Sequence, residues 1–590
     1  MKIQFITLPM IAVMVSSCID DNYDLSDIDT TSRLQVVDLT LPVNMDDVLL
    51  GDIITFDENS KIQPIEIFGK KVYALTQEGD FNSQPIFIKT VSAAAPVLSP
   101  VTKTLSLSNV PSSAKKAKAP ELSFTFDITE MGNTFEYADR ALDSSIDALY
   151  SAKVEPMTFA VTLEAVSQNV AAEKIGFTNL VIAMPKGMTA TPATGSYDAK
   201  TGLWTIPSDW ATGNSFNTSM TVTAIDFAAN GAVVKDGAIS LKSEVTLKSG
   251  QLTVVPDLNV NHNVDFSSGL EFRASFQLSP LTVKAISGRI SYKLEGMDIA
   301  PVSLANIPDF LSGDGTNINL ANPQLFLSVT NPVGADGLDC RTGLTLSAIR
   351  DDSPTLDFSL DNGYFTIGHG DGKGSYDFVM APSDKDIIFQ SDGGPQPTFV
   401  PFTGLGEVLS SPAGAAVKGL PKSIGIHLDE PQIPLQEVTD FELGRSIDGV
   451  KGRYELVAPL ALKDGSTIVY SDRKDGWNDE DVDAITITRL TLNCTVTNTC
   501  PVSAELHAYP IDKEGNRIPG VELKTVSPIA ANSVDQPVSI ELSGTIKHLD
   551  GVIYEAVVNA GSSEEALSPN QTIALKNIRA TVSGYYEKEL

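Results

Sequence analysis

From Leu270 to Leu278 the chain alternates without a break. Leu270, Phe272, Ala274, Phe276 and Leu278 are apolar, while Glu271, Arg273, Ser275 and Gln277 are polar. A strand turns successive side chains to opposite faces, so this period commits the segment to a sheet with one packed and one wet face. Met157, Phe159, Val161, Leu163 and Ala165 repeat it against Thr158, Ala160, Thr162 and Glu164. Leu325, Leu327 and Val329 do so again before an Asn331-Pro332 turn. Gly (43) and Pro (34) punctuate these runs, as a chain of many short strands and turns requires. The expected fold class is all-β: tandem Ig-like antiparallel β-sandwich domains with one short capping helix. That helix is expected from Glu136 to Lys153, where Ala138, Ala141, Leu142, Ile146 and Leu149 share a helical face and Asp139, Asp143 and Asp147 another.

The N-terminus carries an address. Lys2 is followed by an apolar stretch from Ile3 to Val15, then Ser16, Ser17 and Cys18. A basic start, a short apolar run and a small-residue exit describe a secretory signal rather than a spanning helix. The ending Val15-Ser16-Ser17-Cys18 resembles the lipobox of bacterial lipoproteins, in which cleavage precedes a cysteine that is then lipidated. The resemblance implies acyl chains such as palmitate on Cys18. Two or three chains, at about 0.8 kcal/mol per buried methylene, hold a protein on a bilayer where one would not. The next residues, IDDNYDLSDIDTT, hold five Asp and no basic residue, so they read as a solvated tether. They resemble the acidic export tag of surface lipoproteins in some Gram-negative bacteria, and Ile19 in place of Asp removes the usual inner-membrane retention signal. The expected location is the outer membrane, lipid-anchored, at the cell surface.

At 590 residues, about one domain per 150 residues predicts roughly four. Composition shifts at 91–120, 393–397 and 472–483 suggest the divisions. These give a lipoprotein signal peptide (1–17), an acidic tether (18–33) and an N-terminal β-rich domain with a Ser/Ala/Pro linker (34–154). An Ig-like β-sandwich (155–265), a further β-sandwich (266–392) and a C-terminal β-sandwich region (393–590) follow. Lys115, Lys116 and Lys118 form a basic cluster without interleaved aromatics, which reads as a solvated linker. Within 155–228, Pro185, Gly187, Gly195, Tyr197, Asp198, Thr201, Gly202 and Trp204 resemble the Ig-like repeats of bacterial surface proteins called DUF11-type. That resemblance implies a stalk or adhesion-type sandwich with no catalytic residues of its own. Physically, Asp198 to Gly202 supplies a turn, and Trp204 begins the returning strand as a core residue. An internal echo links 320–337 and 487–506, each an alternating strand running into Asn and then Pro-Val.

The chemistry is sparse. Acidic residues outnumber basic ones 74 to 42, a net charge of −32 that repels phosphate backbones and argues against a nucleic-acid partner. The five His are scattered, with no zinc spacing among them, and no nucleophile elbow, P-loop or dinucleotide fingerprint occurs. The Gly-rich run 368–374 reads as a hairpin tip. Cys340, Cys494 and Cys500 remain after Cys18, an odd number. On one straight strand Cys494 and Cys500 would stand about 20 Å apart, so buried free thiols are expected over a disulfide. In the loop DGWNDEDVD, Asp475, Asp479, Asp481 and Asp483 could hold a hard cation such as Ca²⁺, although a solubilising loop is the simpler reading. Trp477 in the same loop is the candidate exposed aromatic and ligand-binding residue. No other cofactor is expected. The partners expected are the membrane through the lipid anchor and a polysaccharide or surface protein. The expected role is non-enzymatic: structural, adhesive or ligand-presenting. A glycan-binding lipoprotein partnering an outer-membrane nutrient transporter is the second reading, and a surface glycoside hydrolase the third.

Overall fold

The computed structural model describes residues 31–43, 48–49, 60–109, 122–139, 141–166, 170–230, 233–235, 238–260, 264–266, 268–304, 307, 311, 315–350, 354–368, 375–388, 396–411, 419–477 and 484–589. Among these residues the fold is all-β, in sheets of nine, eight, twelve and six strands with one two-stranded ribbon. Strands pair antiparallel except Ser375–Ala381 with Thr398–Pro401, which run parallel. The alternation seen in the sequence is realised as burial. Leu270–Leu278 buries its five apolar positions and lies in the sheet between its partners Val101–Leu105 and Ile146–Val166. One apolar cluster runs from Ile62 to Leu567, and a smaller one gathers Val496, Ala504, Ile529 and Val538.

The helix expected at Glu136–Lys153 does not form. Met131–Asp139 and Ile146–Val166 are strands instead, the first paired with Ala238–Pro256 and the second with Leu281–Lys293. Register shifts between Ile146 and Ala148 and between Leu149 and Ser151 insert an extra residue each time. Bulges of that kind stretch a period of two toward three, so Ile146, Leu149 and Ala152 are all buried and mimic a helical face. Asp139 and Asp143 are acceptors in turns, not a solvent face. Asp139 takes the N–H of Ala141 and of Ser92, and Asp143 takes those of Ser145 and Lys89. Among the described residues the α-helix is Gly404–Val408, packed on the strands Leu356–Ser359 and Cys340–Ile349.

Sheets draw on distant parts of the chain. Ile146–Val166 runs straight through the 154/155 division suggested by composition, and Leu281–Lys293 joins it to Ser423–Glu442. Lys70–Asn82 pairs with Lys451–Pro459, and Thr31–Val43 with Thr572–Glu589. The internal echo has a physical counterpart in two asparagine hubs. Asn331 accepts the N–H of Val333 and donates to the carbonyls of Leu338 and Gly368. Asn498 accepts the N–H of Cys500 and donates to Val502 and Ala530. Each amide folds the chain over after its strand and satisfies carbonyls that the turn leaves without ladder partners.

Candidate functional site

The turn at Asp198–Gly202 forms as read. The Thr201 hydroxyl and the Lys200 N–H both donate to the Asp198 carboxylate, and these two contacts hold its pKa below the ordinary carboxylate range. Gly202 sits at a φ of +73°, where a side chain would collide with the Met184 carbonyl. Trp204 is fully buried, and its indole N–H donates to the Thr194 carbonyl at 2.7 Å. Trp204 is therefore core. Cys340, Cys494 and Cys500 are buried and unbridged. Burial pushes the Cys340 thiol up to about 12 and that of Cys500 to about 11.

The acidic loop is described only at its ends. Asp475 pairs with Arg473 at 2.6 Å, and the half-buried Trp477 donates its main-chain N–H to the Asp550 carbonyl. Asp479, Asp481, Asp483 and Cys18 lie outside the described residues, as do Lys115, Lys116, Lys118 and 369–374. Among the described residues no group of three or more His, Cys, Asp or Glu is placed to hold a metal. No helix among them is long and apolar enough to cross a membrane.

The exposed indole is at Trp210. Its strand Leu203–Thr212 turns Trp204 and Ile206 inward, and strict alternation would send Ser208 and Trp210 the same way. Two local features reverse the faces. Asn179 on the partner strand adopts a φ of +49°, and Pro207 follows Ile206 in the strand itself. Beyond them Ile175, Phe177 and Ala211 face the core, and Trp210 emerges outward, 53% exposed. Gly176 lies directly opposite in register. A Cβ there would fall 2.6 Å from the indole carbons, so the ring rests on bare backbone that only glycine leaves open. The Lys174 ammonium stands 5.6 Å from the ring centroid. The same pairing of aromatic over glycine recurs at Tyr454 over Gly79 and Phe81 over Gly452, but those rings are buried. Trp210 differs in being half-exposed, with the Lys174 ammonium over its ring. Sequence reasoning overlooked it, and the Pro207 that breaks the alternation was the available signal.

Two open clefts lie elsewhere among the described residues. One, of about 620 Å³, is lined by Phe81, Ser328, Thr330, Lys451 and Arg453, and Arg453 is ion-paired to Glu78. The other, of about 650 Å³, is lined by Phe358, Glu407, Lys463 and Arg350. The Arg350 guanidinium is occupied in clamping the chain on either side, donating to the carbonyls of Gly419 and Ser410.

No family model and no curated protein matches this chain. Among solved structures, a "putative secreted protein" from Parabacteroides distasonis aligns at 16% identity over 51% of this chain and 89% of its own, with a TM-score of 0.32. A chain described by the triple jelly roll fold and turret assembly in an archaeal virus aligns at 10% identity over 84% of this chain and 90% of its own, with a TM-score of 0.10. Likenesses that distant leave the fold to be read from strand pairing, and they bring no activity with them.

Proposed function

We propose that the chain is a lipid-anchored protein of the outer-membrane surface with a non-enzymatic structural, adhesive or ligand-presenting role. The observation that carries the reading is the register of Lys2, the apolar run Ile3–Val15, Ser16-Ser17 and Cys18, followed by an acidic tether. A body of antiparallel sheets supports it, since rigid strands paired across distant parts of the chain suit a module held out from a membrane. The test is metabolic labelling with a palmitate analogue in a Gram-negative host, combined with protease shaving of intact cells. The wild type is expected to take up label and to be shaved, and Cys18→Ser to lose the label. An unlabelled wild-type chain would overturn the anchor. Turnover of a polysaccharide or ester by the purified protein would overturn the non-enzymatic role.

Trp210 favours one second reading, a glycan-binding lipoprotein that partners a nutrient transporter. In a chain with only 3 Trp, a half-exposed indole pinned flat on a sheet supplies an aromatic surface of the kind a sugar ring can stack on. Co-purification with a transporter from detergent-solubilised membranes tests the partnership.

A further inference from the structure

We infer that the outer face around Trp210 is a docking platform for one pyranose ring of a neutral polysaccharide, an inference that rests on the glycan-binding reading. Three observations lead there. The indole is fixed before any ligand arrives, because it lies on Gly176 and its strand is paired to Ala172–Ala183 through Thr212, Ala211, Trp210, Asp209 and Ser208. A platform already ordered loses little freedom on binding. Its outer side is a flat face rather than a protruding edge, with the Lys174 ammonium over it at 5.6 Å from the centroid, where a flexible side chain can swing aside for a ligand. A protein hot spot buries an aromatic by inserting it into a pocket on the partner, which a ring lying along the sheet cannot do. A pyranose ring, with a patch of C–H groups on one face and hydroxyls around its rim, fits a flat indole instead.

The surroundings match the rim. Strand geometry puts Ser208 and Thr212 about 7 Å to either side of Trp210 along the strand, and Lys174 and Thr178 beside them on the neighbouring one. Thr253 pairs with Gly176 on the far side, next to the exposed Gln251. Hydroxyls, one ammonium and the Gln251 amide, which also donates to the Asp127 carboxylate at 3.2 Å, offer both donors and acceptors to sugar hydroxyls around an aromatic floor. Charge selects the class. A chain of net charge −32 raises the local cost of bringing up a polyanion, so the neutral polymer is the favoured occupant.

The experiment is affinity electrophoresis of the detergent-solubilised full chain through gels containing soluble starch, laminarin, xylan or galactomannan, with polygalacturonate as the acidic arm. At least one neutral polymer is expected to retard the protein. Trp210→Ala is expected to weaken that retention about tenfold or more, with the melting temperature little changed. Trp210→Tyr, which keeps an aromatic face, should retain most of it, and Trp477→Ala all of it. Gly176→Val, which lifts the ring off the sheet, should weaken it while leaving the indole present. Retention that survives Trp210→Ala undiminished would overturn the site but leave the glycan reading standing. No retention by any polymer would overturn both, and retention by polygalacturonate alone would overturn the neutral class.

Discussion

Trp204 and Trp210 share one strand and meet opposite fates. Trp204 is sealed in the core with its N–H satisfied, so Trp204→Ala is expected to cost about 3–5 kcal/mol. Trp210→Ala, which removes a half-exposed ring, is expected to cost roughly 1 kcal/mol or less. Chemical denaturation of the two variants checks the contrast, and equal losses would place Trp210 in the core. Trp204 was legible because the turn Asp198–Gly202 fixes where its strand begins. The outward face of Trp210 was not legible, because a positive φ at Asn179 on another strand helps set it, and no single-strand pattern reports its neighbour. The thiols make a second test at this scale. Cys340 keeps its proton to about pH 12, against an ordinary value of 9.0. The unfolded thiol ionises first, so the contribution is intact below pH 9 and declines above it, as the unfolded state sheds protons the native state retains. A thiol reagent at pH 8 is therefore expected to leave Cys340, Cys494 and Cys500 unmodified until denaturant is added, and stability should fall as pH rises past 9. Rapid native labelling would contradict the burial. At Asp475 the carboxylate is already matched by Arg473, so added Ca²⁺ is expected to leave the melting temperature unchanged, and a rise would support the acidic loop as a cation site.

Elements show why the strands were readable and their connections less so. A segment such as Leu270–Leu278 has an unbroken period of two and pairs on both sides without a register shift, so its sequence and burial coincide. Ile146–Val166 carries bulges, and every bulge corrupts the period that a reader counts. Pairing partners are hidden for another reason. Lys70–Asn82 finds Lys451–Pro459 through main-chain hydrogen bonds that carry no residue identity. The asparagine hubs were visible as an echo, and their role follows from the turns they hold. Asn498 is fully buried, so Asn498→Ala strands an N–H and two carbonyls and is expected to cost about 2–4 kcal/mol. Asn331 is only half-buried and water can replace part of its set, so Asn331→Ala is expected to cost less. Denaturant midpoints that reverse this order would refute the accounting.

Across the whole molecule, the first described strand pairs with the last. Thr31–Val43 lies along Thr572–Glu589 from Thr31 opposite Glu589 to Val43 opposite Ile578, with one bulge at Asp38. Its side chains gain little from burial, with Leu34 59% and Val37 67% exposed. Main-chain hydrogen bonds hold it, aided by Arg33 over the Tyr585 ring at 3.7 Å and by Ser583 and Arg489 at Asp38. On the proposed anchoring through Cys18, Thr31–Val43 is the described strand nearest the anchor in sequence. It is also the outermost described strand of its sheet, its free edge broken by the bulge at Asp38 and by Pro42, so removing it would shift the edge to Thr572–Glu589, which carries no proline. Unpaired edges recruit other strands. Replacing Thr31–Val43 with a Gly/Ser stretch of equal length is therefore expected to lower the melting temperature only slightly, because little apolar area is lost, yet to drive self-association. Light scattering at increasing concentration reads that outcome, and a synthetic peptide of residues 31–43 added in excess should reverse it. A variant that stays monomeric with an unchanged melt would mean that the sheet does not depend on its first strand, and that the anchor is tied to the body some other way.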